Sequence, residues 1–416
     1  MNGAAALNPK LPDDPEEVLA HILAPELRGD NLYPLYHQLR MLAPVFKTTN
    51  SQFQQAWVIT RFADDDTVVR SKSLISDKRV IEIFDSGDGG AFYQVMKRLM
   101  KFLDPPEHAR VRNLVSGAFT PRSVERLRPR IQQIVDELLD THFPHAGMDV
   151  VADFALPLPL RVICELLGVP VEDTELFFQW SRDFARRGDV GALTPERERR
   201  ADDAAIGLND YFMKLIAERS RAPRDDLISA LIRIEGDGGR LDQLEIAATG
   251  IILLQAGHET TANLIGAAAL ALLRHPDELA LLRARPALAE SACEEFLRFD
   301  TPVQITPKVA AEDLRYHDQV IREGDVVVTF RGAVNRDPAR YRDPDRLDLS
   351  RDERHHSFGV GPYHCLGASL ARAEIEIAMA SLVARLSDLS LETARPRWKP
   401  NLYLHGLEAL NVAWKP

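Results

Sequence analysis

A long apolar stretch between Asp242 and Arg274 constrains this chain more than any other feature of its sequence. Asp242 fits the N-cap of a helix, Glu245 occupies the capping-box position, and Pro276 predicts the end. About 33 residues at roughly 1.5 Å each make a helix about 50 Å long, which crosses a whole domain of this size. Because the stretch is apolar on most sides, we expect it to lie at the centre of a large helical core.

The same stretch is long enough to be mistaken for a membrane span. Gln255, His258 and Glu259 lie in its middle, however, and such side chains are costly in lipid. Residues 1–30 contain no apolar run fit for a signal peptide or an anchor. We therefore expect a cytoplasmic protein that does not bind membranes, with residues 1–30 forming an N-terminal extension without an anchor.

Helical patterns dominate the rest of the chain. They predict helices at residues 34–42, 106–119, 121–142, 159–167, 204–219, 226–234 and 368–386. Residues 55–61 and 326–330 have the pattern of strands. No internal repeat or low-complexity linker divides the chain, so we predict one domain over residues 31–416, mostly α with small β-sheets.

Charge and cysteine usage exclude some classes of protein. The net charge is −11, whereas a nucleic-acid-binding protein normally carries a basic stripe. The three cysteines, Cys164, Cys293 and Cys365, form no close pair, which argues against a disulfide framework and fits a reducing cytoplasm. Each cysteine therefore has to be considered singly.

Cys365 stands out because it lies in the sequence FGVGPYHCLG, just before a predicted helix. Free N–H groups and the dipole at a helix N-terminus stabilise a thiolate. Gly359 and Gly361 allow a tight turn, and Gly367 lets the backbone approach a large flat ligand. A cysteine taken at random is more often a buried structural residue, but the glycine spacing and Phe358 favour a functional site.

A second candidate is the sequence AGHETT, residues 256–261, in the middle of the long helix. Gly257 weakens the helix there by about 1 kcal/mol relative to Ala, and threonine hydroxyls can bond back to the preceding turn. One interpretation is a groove that holds a small ligand and delivers protons to it. A hydrogen-bonded polar plug is an equally good interpretation from these residues alone.

Two pairs of polar residues are weaker signals. Glu295 and Arg298, at i,i+3, share one helix face, with Arg346 as a possible third member. His108 and Arg112, at i,i+4, aim two donors the same way, which suits an anionic group. Each pair alone is more often a solvated surface feature.

Together these segments resemble those of a bacterial cytochrome P-450, from about Asn31 to the C-terminus. The resemblance implies the cytochrome P-450 fold, with haem b buried between the long helix and the cysteine loop. Cys365 would be the axial ligand to the haem iron, and Glu259 and Thr260 the acid–alcohol pair. The other implied haem neighbours are Ala256 and Gly257 at the oxygen groove, His108 and Arg112 at a propionate, and Phe358, Gly359 and Gly367 near the sulfur.

Two positions depart from the family pattern. Tyr363 stands where a propionate-binding His or Arg is usual, with His364 next to it. Lys308 stands where the family usually has an Arg; it keeps the charge but loses the planar fork. We therefore expect His108 and Arg112 to dominate haem retention, with Lys308 helping and Tyr363 either bonding a propionate or packing beside it.

The resemblance implies a monooxygenase that activates O₂ with electrons from a ferredoxin and its reductase. The substrate is expected to be a small, largely apolar molecule, covered by residues 76–100 and part of 183–200 as a lid. A peroxide-driven enzyme would usually lack the acid–alcohol pair. Oxidative coupling or desaturation would keep the same residues, and a non-enzymatic haem sensor would need no proton relay.

Overall fold

The computed structural model describes residues 11–28, 32–76, 89–117, 119–187, 194–236 and 239–415. The described chain is mostly helical, as predicted. Its helices are α1 (Pro15–Leu23), α2 (Pro25–Arg28), α3 (Leu32–Leu42), α4 (Phe62–Arg70), α5 (Ala91–Met96), α6 (Glu107–Ser116), α7 (Pro121–His142), α8 (Pro157–Leu167), α9 (Thr174–Arg186), α10 (Pro195–Arg221), α11 (Leu227–Arg233), α12 (Gln243–Arg274), α13 (Pro276–Ala284), α14 (Ala289–Phe299), α15 (Arg331–Val334) and α16 (Ala368–Arg385).

The strands form small sheets. They are β1 (Val45–Lys47), β2 (Trp57–Ile59), β3 (Leu74–Ile75), β4 (Gly147–Asp149), β5 (Glu235–Gly236), β6 (Gly239–Arg240), β7 (Ile305–Ala310), β8 (Leu314–Tyr316), β9 (Gln319–Ile321), β10 (Val326–Phe330), β11 (Ser387–Leu391) and β12 (Asn411–Lys415). The largest sheet has the order β1-β2-β10-β7-β3, and a second has the order β11-β12-β4. Both strands predicted from the sequence pair in the larger sheet, where β10 runs parallel to β2 with Val327 opposite Trp57.

Helix α12 lies at the centre of the fold, as its apolar sequence predicts. Asp242 accepts from the Glu245 N–H and Glu245 accepts from the Asp242 N–H, both at 2.8 Å, so the predicted capping box is confirmed. The helix ends at Arg274, and Pro276 occupies the first turn of α13. Helix α12 packs against α8, α10 and α16, and no helix among the described residues is long and apolar enough to cross a membrane.

One main hydrophobic core draws on residues from Val18 in α1 to Trp414 in β12. Helix α1 lies within the stretch predicted as an N-terminal extension, yet it buries Val18, Leu19 and Ile22 in this core. Packing of α1 against α3 therefore makes residues 15–23 part of the domain. A smaller apolar cluster on the largest sheet includes Trp57, Leu74 and Val327.

Helix α10 differs most from its predicted bounds, because it begins at Pro195 rather than at residue 204. Thr194 caps it by accepting from the Arg197 N–H at 3.2 Å, and Pro195 suits the first helical position. The added turns are charged and lack apolar periodicity, which explains why the pattern missed them. Residues 77–88 and 188–193 of the two expected lid segments lie outside the described residues.

Candidate active site

The cysteine loop, residues 358–367, is shaped by its main chain. The Cys365 N–H donates to the Phe358 carbonyl at 2.9 Å, and the Gly359 N–H donates to the His356 carbonyl at 2.8 Å. Gly359 and Gly361 have φ of 66° and 71°, a left-handed backbone that glycine adopts without strain. A 3-10 turn, Gly361–Tyr363, follows, and α16 begins three residues after the cysteine.

The three thiols differ in their surroundings. Cys164 and Cys293 are buried, and burial raises the pKa of Cys164 to about 12 and that of Cys293 further. Cys365 is exposed, although protein atoms around it still raise its pKa by desolvation. The Gly367 N–H and the charges of Arg112 and Arg372 act against that rise. Cys365 is therefore the accessible thiol with groups that favour a thiolate.

Basic side chains gather beside this loop. His108 is buried, and desolvation together with the charges of Arg112 and Lys308 lowers its pKa to about 4. Arg112 donates from Nη2 to the His364 carbonyl at 2.6 Å. Burial lowers the pKa of Lys308 to about 8, and its Nζ donates to Ser76 Oγ at 2.7 Å. Crowded basic groups of this kind fit an anionic ligand such as a carboxylate.

Tyr363 lies among these basic groups with its hydroxyl already bonded. Its ring centroid is 4.3 Å from that of His108 and 3.5 Å from Lys308 Nζ. The hydroxyl donates to Asp104 Oδ1 at 2.8 Å, and burial, followed by that bond, raises its pKa. Asp104 also accepts from the Ser76 N–H at 2.8 Å. The sequence pattern assigned no role to Asp104, which accepts the hydrogen bond of the Tyr363 hydroxyl.

Residues 255–260 of α12, termed here the polar segment, interrupt an otherwise buried helix. Ala256 is exposed, whereas residues 246–254 and 261–270 are buried throughout. Thr260 Oγ1 donates to the Ala256 carbonyl at 2.6 Å, a back-bond typical of threonine in a helix. Glu259 Oε1 lies 3.6 Å from Lys399 Nζ. A Cβ on Gly257 would lie 3.6 Å from Ile163, so that position faces helix α8.

His258 is a further buried group of the polar segment. Its Nδ1 lies 3.3 Å from Ser181 Oγ of helix α9, and its Nε2 is buried without a hydrogen-bond partner among the described residues. Burial, reinforced by the charge of Lys399, lowers its pKa to about 4. The imidazole is therefore neutral near pH 7.

The predicted triad of Glu295, Arg298 and Arg346 needs one correction. Glu295 and Arg298 form a buried pair with contacts of 2.7 and 2.8 Å. The third member is Arg351, whose Nε lies 3.3 Å from Glu295 Oε2. Arg346 is exposed and offers only its carbonyl to Arg298, at 3.3 Å. The irregular chain between α15 and the cysteine loop has no periodicity from which that choice could be read.

The geometry fits a large, flat, anionic prosthetic group that brings its own metal. No group of three or more His, Cys, Asp or Glu side chains among the described residues could hold a metal ion. A Cβ built on Gly367 would meet nothing within 4 Å. Phe358 is partly buried beside the loop, under the Arg372 guanidinium at 4.6 Å. A haem with its propionates matches this set of donors and open surface.

Comparison with known proteins agrees. The chain matches the family model described as Cytochrome P450 over residues 82–284 and 282–402. It is 40% identical over 347 residues to Cytochrome P450 CYP107DY1 of Priestia megaterium, covering 81% of this chain and 84% of that protein. It is 37% identical over 405 residues to 6-deoxyerythronolide B hydroxylase of Saccharopolyspora erythraea, covering 93% and 98%.

The solved structures give the same result. P450BioI, in complex with hexadec-9Z-enoic acid ligated acyl carrier protein, matches with a TM-score of 0.87 and 36% identity, covering 93% of this chain and 98% of that chain. The predicted fold is thereby confirmed. The chain belongs to the cytochrome P450 family and is an oxidoreductase of the monooxygenase type.

Proposed function

We propose that this cytochrome P450 binds haem b through Cys365 and hydroxylates or epoxidises a small, largely apolar organic molecule. The observation that carries the proposal is the accessible Cys365 thiol in a loop fixed by its own main chain. When bound, the haem supplies reductive activation of O₂, which an anionic sulfur ligand favours. The chain's own side chains then hold the haem, exclude or admit water, and move protons.

His108, Arg112 and Lys308 are proposed to hold the haem propionates. Their support is the gathering of basic groups around His108, whose pKa is lowered by burial and by both basic neighbours. An anion placed there would favour the charged forms of these groups. Phe358, Gly359 and Gly367 would line the haem near the sulfur, and Ala256 its other side. Tyr363 would pack at the edge of this site, because Asp104 already accepts from its hydroxyl.

Glu259 and Thr260 are proposed to hold and move protons at the side of the haem that faces α12. The Thr260 hydroxyl lies in the accessible polar segment, and its proton is shared with the Ala256 carbonyl. Glu259 is one residue away and is partly exposed. A partly exposed carboxylate beside a hydroxyl is able to pass protons inward from solvent.

The substrate class rests on the names of relatives. One relative is named for hydroxylation of 6-deoxyerythronolide B, and the P450BioI structure contains hexadec-9Z-enoic acid. The hydrocarbon chain of hexadec-9Z-enoic acid is apolar, as are most small-molecule pockets. A screen of such compounds that monitors the haem spin state would identify ligands, starting from these two.

The electron donor is proposed to be a ferredoxin with its reductase, acting as separate proteins. The net charge of −11 argues against nucleic acid as a partner. Three free thiols favour a reducing compartment, and we place the reaction in the cytoplasm.

The first test is the spectrum of the reduced, CO-bound protein. A strongly red-shifted Soret band is expected from thiolate ligation, and the band of a histidine-ligated haem in fresh protein would refute the assignment. Consumption of NAD(P)H that rises with an identified substrate would separate an enzyme from a haem sensor.

Thr260→Ala tests the proton role. The variant should bind haem and CO normally, while product per NAD(P)H falls by on the order of 10-fold and peroxide release rises. Thr249→Ala is the matched control, because Thr249 makes the same back-bond on the same helix, to the Glu245 carbonyl at 2.7 Å. Equal coupling in both variants would show that Thr260 is only structural.

A further inference from the structure

Three polar side chains share one face of helix α12. Gln255, Glu259 and Asn263 are spaced at i, i+4 and i+8, so they lie one above the other on the helix surface. We call this set the polar stripe. It is unusual in this helix, because residues 246–254 and 261–270 are otherwise buried and almost entirely apolar.

Lys399 joins two members of the stripe. Its Nζ lies 3.6 Å from Glu259 Oε1 and donates to Asn263 Oδ1 at 3.0 Å. Lys399 and Glu259 retain 24% and 19% of their side-chain exposure. The pair is therefore partly accessible beside the central helix.

The backbone around Lys399 is held against the same helix. The Lys399 N–H donates to the Gly406 carbonyl at 2.8 Å, across a turn in which Trp398 bridges Leu407. A Cβ on Gly406 would clash with Asn263 Oδ1, so this turn packs directly against the stripe. Lys399 is thus fixed both through its main chain and through its ammonium group.

The ends of the stripe carry unused donors. Gln255 Nε2 and Asn263 Nδ2 are buried and have no hydrogen-bond partner among the described residues. Buried amide donors are normally paired, and ordered water is the usual partner where protein supplies none. Water on both sides of Glu259 would form the outer part of a proton route.

We propose that Lys399 is a positioning residue for Glu259, and that the polar stripe is the solvent-side section of the proton route to Thr260. The inference rests on the proposed proton role of Glu259 and Thr260. Lys399 takes no part in the transfer itself and holds the carboxylate in place. The carboxylate accepts a proton from water on the stripe and donates it toward Thr260, so no electrons are exchanged and no co-reactant is needed.

The test compares Lys399→Met, Lys399→Arg, Glu259→Gln and the double variant Glu259→Gln/Lys399→Met. Lys415→Met is the matched control, because Lys415 also forms an ion pair, with Asp388 at 2.7 Å, and is far more exposed. Two readouts are taken: the infrared C–O stretch of the reduced CO complex, which needs no substrate, and product per NAD(P)H with the strongest ligand of the spin-state screen.

Lys399→Met should shift the C–O stretch in the same direction as Glu259→Gln and lower coupling by about two- to five-fold, the range expected from a partly exposed ion pair. Lys399→Arg should leave both readouts close to their wild-type values, since it keeps the charge. Adding Lys399→Met to Glu259→Gln should change neither further, because Lys399 acts through Glu259. Lys415→Met should match the wild type.

Failure of the proposed proton role can be distinguished from failure of the proposed role of Lys399. If Glu259→Gln and Thr260→Ala both leave coupling and the C–O stretch unchanged, the proposed proton role itself is wrong. If those variants act as expected but Lys399→Met matches the wild type, or if its effect persists in full in the Glu259→Gln background, Lys399 does not position Glu259.

Discussion

Around Cys365 the conformation is set by main-chain hydrogen bonds and glycines, whereas along the polar segment of α12 it is set by side-chain contacts with distant parts of the chain. The Cys365 N–H bonds within its own loop, to the Phe358 carbonyl. Glu259 and His258 instead reach Lys399 and Ser181, which lie far away in sequence. The backbone beneath them is an ordinary α-helix.

The difference teaches which part of such a site a sequence encodes locally. A loop that requires left-handed backbone at Gly359 and Gly361 leaves glycines at fixed distances from the cysteine. A helical segment needs no special backbone residue, so its function depends on partners that only the tertiary fold supplies. Substitutions in the cysteine loop and in the polar segment should therefore have different effects.

The largest effect is expected at the cysteine itself. Cys365→Ala should abolish the red-shifted CO band completely, because the other two thiols are buried elsewhere. Cys164→Ala and Cys293→Ala should keep the band, although each leaves a small cavity in the core. A red-shifted band that survives in Cys365→Ala would show that another residue is the ligand. The contrast between the cysteine loop and the polar segment would then be wrong.

The next effect concerns the basic groups beside the loop. Arg112→Ala removes a full charge and the hydrogen bond to the His364 carbonyl, and a charge-assisted bond is worth about 1.5–3 kcal/mol. Tyr363→Phe removes a bond to Asp104. Haem transfer to an apo-globin should therefore be much faster from Arg112→Ala than from Tyr363→Phe. Equal haem loss from both would show that Tyr363 is a main anchor.

Much of the fold and of the cysteine loop could be predicted from sequence, because both leave local sequence patterns. The capping box and Pro276 gave the bounds of α12 almost to the residue, and the glycine pattern located the loop. The roles of three residues could not be predicted from the sequence, because each contacts a residue at least 56 positions away: Arg351, Asp104 and Lys399. Helical spacing selected Arg298 correctly but gave no guide to Arg351.

Acidic pH should lower the free energy of unfolding by protonating His258 in helix α12. Its pKa is about 4 in the folded protein, below the ordinary 6.5, because burial disfavours the cation. The unfolded chain therefore binds more protons below pH 6.5, so this contribution to stability is complete above that pH and is lost as the pH falls toward 4.

His258→Gln should remove this pH dependence. Compared with the variant, the wild type should lose on the order of 2 kcal/mol of unfolding free energy between pH 7 and 4.5, at about 1.4 kcal/mol for each unit of pKa shift. Urea unfolding of both proteins across this range measures it, and the other titrating groups cancel in the difference. Parallel curves would mean that His258 is not held neutral by its surroundings.

The smallest effect compares the backbone requirements of the cysteine loop and the polar segment, at one glycine in each. Gly359→Ala forces a Cβ into left-handed backbone and should cost about 1–2 kcal/mol, although its nearest neighbour, the Tyr363 carbonyl oxygen at 3.7 Å, leaves room. Gly359→Asn should cost less, because asparagine tolerates that backbone. Gly257→Ala, with its Cβ in ordinary contact with Ile163, should be neutral or should gain up to about 1 kcal/mol from helix propensity. Unfolding free energies of the three variants decide the matter, since a penalty at Gly257 as large as that at Gly359 would mean that the polar segment also depends on a special backbone.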